Sequence, residues 1–362
     1  MAQEQEKGEK SRKRVLAGFG ARLVCFALLT LGVLGYTAYV LIPKHDYGIC
    51  SMMQYYRQPR DTVDVLAIGT SIAYAGINTN VLWEEYGIAA YDLCSAEQPF
   101  WVTYYTLQEA LKTQRPKVIL LDAKPAMYTK DYSRRGRIIM STFGIRSLDN
   151  RMGAIRACLE DQGRVLDYLL MFPVLHSEYN EVGWGNFAYP PDNGGRGSSW
   201  KGFIEVDEVE QHSKPSLVWN SVRRPINERE EEYVRMIFDL AQKEGIPLML
   251  VAMPNPDYAN DHMYFNYLWS IAQEYGVTGI NYNEPSLRFG LRYSSDFADW
   301  QHLNVKGSIT FSRRLGEDLK EMYDLPDRRG DATYASWNAA TKEWYEKLPS
   351  FASSGMTKEE SP

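Results

Sequence analysis

The sequence predicts a three-layer α/β/α domain on a mostly parallel sheet, preceded by one N-terminal transmembrane helix. Short runs rich in β-branched residues alternate with helical periodicity over most of the chain, and that alternation implies a parallel sheet covered on both faces. An uncharged apolar run near the N-terminus is long enough to cross a bilayer. A strand-like run ends in Gly69-Thr70-Ser71, and Asp299-Trp300-Gln301-His302 precedes the last long helical pattern. In such sheets functional groups gather beyond the C-terminal ends of strands, so both short segments can reach one rim.

Residues 23–42 (LVCFALLTLGVLGYTAYVLI) carry no charge. At ~1.5 Å rise per residue this run spans the hydrocarbon core. It is apolar on all sides, unlike a core helix with one apolar stripe. It also exceeds a usual signal-peptide h-region and lacks a clear small-x-small cleavage site. Lys10, Arg12, Lys13, Arg14 and Arg22 precede it, whereas Lys44, His45 and Asp46 follow as a nearly neutral flank. The positive-inside rule then makes 1–22 a cytoplasmic basic tail and places the rest outside the cell membrane, as a single-pass protein.

Beyond the anchor, strands are expected at 63–68, 89–94, 118–122, 247–253 and 277–282. Helices are expected at 81–86, 101–113, 227–243, 264–275 and 305–323. Asn227 is a plausible cap for the third of these and Gly245 its stop. The α/β domain is expected over 43–325. The stretch 124–220 interrupts the alternation and is expected to be an insertion over the active-site rim. Residues 326–362 read as a polar tail with a short amphipathic helix at 334–348.

A net charge of -6 over 362 residues argues against a nucleic-acid partner. The 25 Tyr and 9 Trp suit carbohydrate-facing surfaces and ordinary cores equally. Cys25, Cys50, Cys94 and Cys158 show no metal-ligand spacing. Pairing of Cys50 with Cys158 stays open. No His/Cys/Asp/Glu cluster predicts a metal, and no cofactor is expected.

A serine hydroxyl attacks only with a base in hydrogen-bond reach and donors for the oxyanion that forms. Ser71 stands at a strand-to-helix turn, where its own N–H is a candidate donor. Three residues apart on a turn, Asp299 and His302 face the same way. The carboxylate can then hold the imidazole while the imidazole takes the Ser71 proton. Each piece alone has a plainer reading: Ser71 as a helix cap, Asp-x-x-His as a surface turn. Their combination within an α/β pattern favours catalysis.

On these residues the chain resembles the SGNH/GDSL hydrolase superfamily. Its serine block matches Gly69-Thr70-Ser71, and its last block matches Asp299-x-x-His302. The resemblance covers roughly 60–325 and implies a flavodoxin-like sheet. Gly-Thr-Ser replaces the usual Gly-Asp-Ser. The second block matches Cys94-Ser95-Ala96-Glu97-Gln98-Pro99, which implies oxyanion donors among the Ser95 and Ala96 N–H groups and the Gln98 side chain. The third block's Gly-x-Asn-Asp has no counterpart in Leu121-Asp122-Ala123-Lys124-Pro125.

These departures, the anchor and the insertion are similar to a membrane-anchored extracytoplasmic branch that includes alginate O-acetyltransferases and teichoic-acid D-alanylation proteins. The resemblance implies O-acyl transfer, O-acetyl above all, to a cell-surface polysaccharide. It also implies a multi-pass membrane-bound O-acyltransferase as acyl donor. An extracytoplasmic carbohydrate or lipid esterase is the alternative. A non-catalytic scaffold of an envelope acylation complex is the second. Arg134, Arg135 and His176 are candidate substrate contacts, each with a plainer reading as a solvated or hydrogen-bonded loop residue. His212 and His262 read as solvated, and Lys124 as near the rim.

Overall fold

Five short strands, β1 (Val65–Ile68), β2 (Ala90–Asp92), β3 (Val118–Asp122), β4 (Leu248–Ala252) and β5 (Thr278–Asn281), form one sheet. All four pairings are parallel, in the order β2-β1-β3-β4-β5. The computed structural model describes residues 2–43, 47–128, 134–188, 200–214, 220–258, 261–284, 286–287 and 289–351. The chain divides into two compact units: Met1–Pro43 with Leu166–Pro190, and Lys44–Val165 with Pro191–Pro362.

The second unit holds the sheet. Alternate side chains of each strand enter opposite cores, as a period of two requires. Leu66, Ile68, Ile119, Leu121, Leu248 and Leu250 join one core, with Phe100, Leu107, Ile237 and Phe238 from helices Phe100–Ala110 and Glu228–Glu244. Val65, Ala67, Val118, Leu120, Met249 and Val251 join the other, with Phe311, Leu315 and Leu319 from helix Val305–Met322. The result is the expected three-layer α/β/α domain. Its strand order reverses direction between β1 and β3, which creates a crevice at their C-terminal ends. Helix Glu228–Glu244 starts on the expected Asn227, whose side chain accepts from the Arg229 N–H, and stops at left-handed Gly245.

Two stretches differ from expectation. The insertion does not act as one body. Its helices Arg135–Thr142 and Leu148–Cys158 pack on helix Phe100–Ala110, in the unit that holds the sheet. Its residues 166–190 belong to the first unit. Residues 189–199, including most of the glycine-rich run, and 215–219 lie outside the described residues.

The polar tail carries its expected amphipathic helix as Ala335–Phe351, but Trp337 and Trp344 on that helix are buried. That helix packs on helix Thr79–Tyr86, where Trp337 lies 6.2 Å from Trp83 between ring centroids. Cys50 and Cys158 are both buried, and no disulfide joins them.

Lys201 links this tail to the body. Its ammonium donates to Gln58 Oε1 (2.8 Å) and Ser336 Oγ (2.7 Å) and lies 3.9 Å from the Trp337 ring centroid. Burial lowers its pKa from 10.5 to about 7. Between those values the unfolded chain binds more protons than the folded one, so stability rises with pH through that window. Lys201→Met removes this slope, at most ~1.4 kcal/mol per pH unit. Urea midpoints of the two proteins at pH 7 and pH 9 check it: wild type gains on the variant as pH rises.

In the first unit, helix Ala2–Leu41 includes the one segment, Arg12–Leu41, long and apolar enough to cross a membrane among the described residues. The basic tail is a continuation of this helix. His45 lies outside the described residues.

Candidate active site

β1 ends at Ile68, and the chain turns at Gly69 against the end of β3. A Cβ on Gly69 would stand 2.3 Å from Asp122 Cβ, so only glycine passes there. Thr70 then caps the short helix Ser71–Gly76, its side chain accepting from the Ile72 N–H. The Thr70 N–H (3.0 Å) and hydroxyl (2.5 Å) both donate to Asp122 Oδ2. The Lys124 N–H donates to Asp122 Oδ1 at 2.9 Å. Asp122, buried at the end of β3, therefore clamps the turn that carries Ser71; burial raises its pKa, with these hydrogen bonds opposing. Gly69→Ala overpacks this clamp at a cost of about 1–3 kcal/mol. A lowered Tm and slower labelling of Ser71 by a fluorophosphonate check that outcome.

Ser71 occupies the first position of its helix, where the N–H has no intrahelical acceptor. Its Oγ lies 2.8 Å from His302 Nε2, and His302 Nδ1 lies 2.8 Å from Asp299 Oδ2. Asp299 Oδ1 accepts from the N–H groups of Gln301 (2.7 Å) and His302 (2.8 Å). Burial would raise the Asp299 carboxyl, but these donors and the imidazole outweigh it and hold it below the ordinary aspartate value. The Asp299–His302 hydrogen bond fixes Nδ1–H as the donor and leaves Nε2 facing the serine.

The triad turn is held from below. Phe297 and Leu303 form an antiparallel bridge around it. Asn304 caps helix Val305–Met322 through Gly307 N–H and donates to the Ser295 carbonyl at 2.8 Å. The returning strand-like stretch braces both halves: the Ile204 N–H donates to the Tyr74 carbonyl, the Val305 N–H to Val206, and the Glu210 N–H to Phe297. His212 is buried rather than solvated, and its ring lies 4.5 Å from that of Trp300 inside the triad turn. His262 is buried too, at the start of helix His262–Glu274.

No known family model matches this chain, and no curated protein does. The site therefore rests on its own geometry.

Of the donors expected beyond Ser71, two are engaged elsewhere. The Ser95 N–H donates to the Gly69 carbonyl (3.1 Å), and Gln98 Nε2 to Thr103 Oγ (3.0 Å). Both residues are buried, so the loop after β2 spends these groups on its own turn. Ala96 is buried in the same loop.

Tyr74 was not anticipated. It stands one helical turn beyond Ser71, on the same face. Burial and the neighbouring Tyr47 push its phenol up, with Arg137 and the Ser71 side chain opposing, so it stays protonated beside Ser71. Its ring stacks on Tyr47 at 5.5 Å, and Arg137 Nη1 donates to the Tyr47 hydroxyl at 3.4 Å. Arg137 and Arg134 both pair with Glu97, at 3.5 and 3.4 Å. Arg134 thus joins a basic rim on the loop after β2, with Arg137 closer in. Arg135 begins helix Arg135–Thr142.

His176 belongs to the first unit, where its Nδ1 is bonded to the Pro173 carbonyl at 2.7 Å. Lys124 is buried and paired with Asp261 at 3.2 Å. No cluster of three or more His, Cys, Asp or Glu among the described residues could hold a metal ion.

Proposed function

We propose that this protein is a membrane-anchored extracytoplasmic serine O-acyltransferase that modifies a cell-surface polysaccharide. The observation that carries the reading is the unbroken chain Ser71 Oγ–His302 Nε2, His302 Nδ1–Asp299 Oδ2, each link 2.8 Å. It stands at the crevice where the strand order reverses. The apolar helix supports a membrane anchor, and the basic residues ahead of it orient the site outward. A multi-pass O-acyltransferase in the same membrane is the fitting acyl donor, because cytosolic thioesters do not reach that side.

The steps balance as follows. Ser71 Oγ attacks the donor's acyl carbon while His302 Nε2 takes the hydroxyl proton. The leaving group departs with that proton, and an ester on Ser71 remains. A sugar hydroxyl then gives its proton to His302 and attacks the ester; the glycan ester forms, the Oγ–acyl bond breaks, and Ser71 recovers the proton. Asp299 stays ionised throughout. The oxyanion of each tetrahedral intermediate meets the Ser71 N–H and the Tyr74 hydroxyl. Tyr74→Phe removes one such donor and slows Ser71 acylation about 10²-fold, with the fold retained. Stopped-flow release from an activated acyl ester checks this.

Hydrolysis is the second reading, favoured by solvent access to the triad: the His302 side chain is 24% exposed and that of Asp299 48%. Mass spectrometry of surface glycan from wild-type and Ser71→Ala cells separates the readings. Loss of O-acyl groups in the variant supports transfer, whereas gain supports an esterase.

A further inference from the structure

Helix Ala2–Leu41 is apolar and exposed over most of its length, but Ala38, Val40 and Leu41 are buried. Three short helical segments, Phe172–Leu175, His176–Glu181 and Trp184–Ala188, pack against this helix in the same unit. Asn186 Nδ2 donates to the Val40 carbonyl at 2.9 Å. That carbonyl is among the last four of the helix, which have no intrahelical donor. The segment therefore finishes the end of the membrane-crossing helix.

The same unit displays apolar bulk on these segments and on the end of the preceding helix, Val165–Leu170. Leu166 is 66% exposed, Leu170 68%, Tyr179 67%, Trp184 89% and Phe187 50%. One such residue is ordinary on a soluble surface. Five within one short segment, on the end of a helix that crosses a bilayer, are not. Tryptophan and tyrosine prefer the headgroup level, where one edge is wet and the face is apolar. The stretch 166–188 contains no Lys or Arg, so attraction to anionic lipid is not what would seat it.

We propose that residues 166–187 form an interfacial platform. It lies in the headgroup and upper acyl region of the outer leaflet, around the exit of the N-terminal helix. The occupant of this apolar surface is lipid. The platform fixes the depth at which the helix leaves the bilayer, and the protein's membrane footprint becomes wider than one helix. This inference depends on the anchor and not on the catalytic reading.

The test uses the full chain in vesicles of phosphatidylcholine doped with a phospholipid carrying a diazirine near the top of its acyl chain. Irradiation, proteolysis and mass spectrometry locate the lipid adducts. The expected result is adducts on two regions, the N-terminal helix and 166–187, unchanged at high salt. A variant with Leu166→Ser, Leu170→Ser, Trp184→Ser and Phe187→Ser, folded by circular dichroism, keeps the first set and loses the second. Wild-type adducts confined to the N-terminal helix overturn the platform while leaving the anchor. Adducts on neither region overturn both. Retention of the second set in the variant also overturns the proposal, because these side chains would then not be what meets lipid.

Discussion

Asp299→Asn is expected to slow acylation of Ser71 by about 10³- to 10⁴-fold without unfolding the domain. An amide is nearly isosteric with the carboxylate, and its oxygen can still accept from the N–H groups of Gln301 and His302. What changes is the group facing His302 Nδ1. An NH₂ there favours the tautomer with the proton on Nε2, and that nitrogen no longer accepts from Ser71. The imidazolium that forms in each step also loses its counter-charge. Single-turnover kinetics with an activated ester, together with an unchanged Tm, check the prediction. A less than tenfold effect would mean that His302 does not work through Asp299.

The second large effect is on stability. Trp337→Ala is expected to cost about 3–5 kcal/mol. Trp337 is 1% exposed, lies against Trp83 and Tyr334, and donates its indole N–H to the Ala90 carbonyl at 3.2 Å. Truncation leaves a cavity, removes the aromatic contacts and strips that carbonyl of a donor at the edge of the sheet. Lys201 loses the ring beneath its ammonium as well. Urea denaturation reads the loss as a lower midpoint with little change in slope.

The strands were legible because their apolar runs are short and bounded by turn residues. The sheet's two cores follow from the alternation within each run, and the structure places all five strands inside the expected ranges or along them. Ser71 and Asp299-x-x-His302 were legible because each is local: a strand end and a three-residue turn. Contacts that span long sequence distances were not. Nothing local announces that Asp122 clamps Thr70 across 52 positions, or that Tyr47 stacks on Tyr74.

The Ser95 N–H bonds to Gly69 and the Gln98 amide to Thr103, and sequence does not reveal what a loop's own turn consumes. The tail was read as polar because its charged residues dominate composition. The amphipathic helix expected at 334–348 is there, and Trp337, Ala340, Thr341 and Trp344 recur on it at helical spacing and are all buried; what composition hid is that this face packs into the domain. The division of the insertion between two units has no sequence signal of that kind.

The most direct measurement of the central claim is covalent labelling of the purified full chain with a fluorophosphonate, followed by peptide mapping. The triad predicts one adduct, on Ser71 Oγ, that is absent in Ser71→Ala and forms far more slowly in His302→Ala. A folded wild-type protein that stays unlabelled, or carries its adduct on another residue, would contradict it.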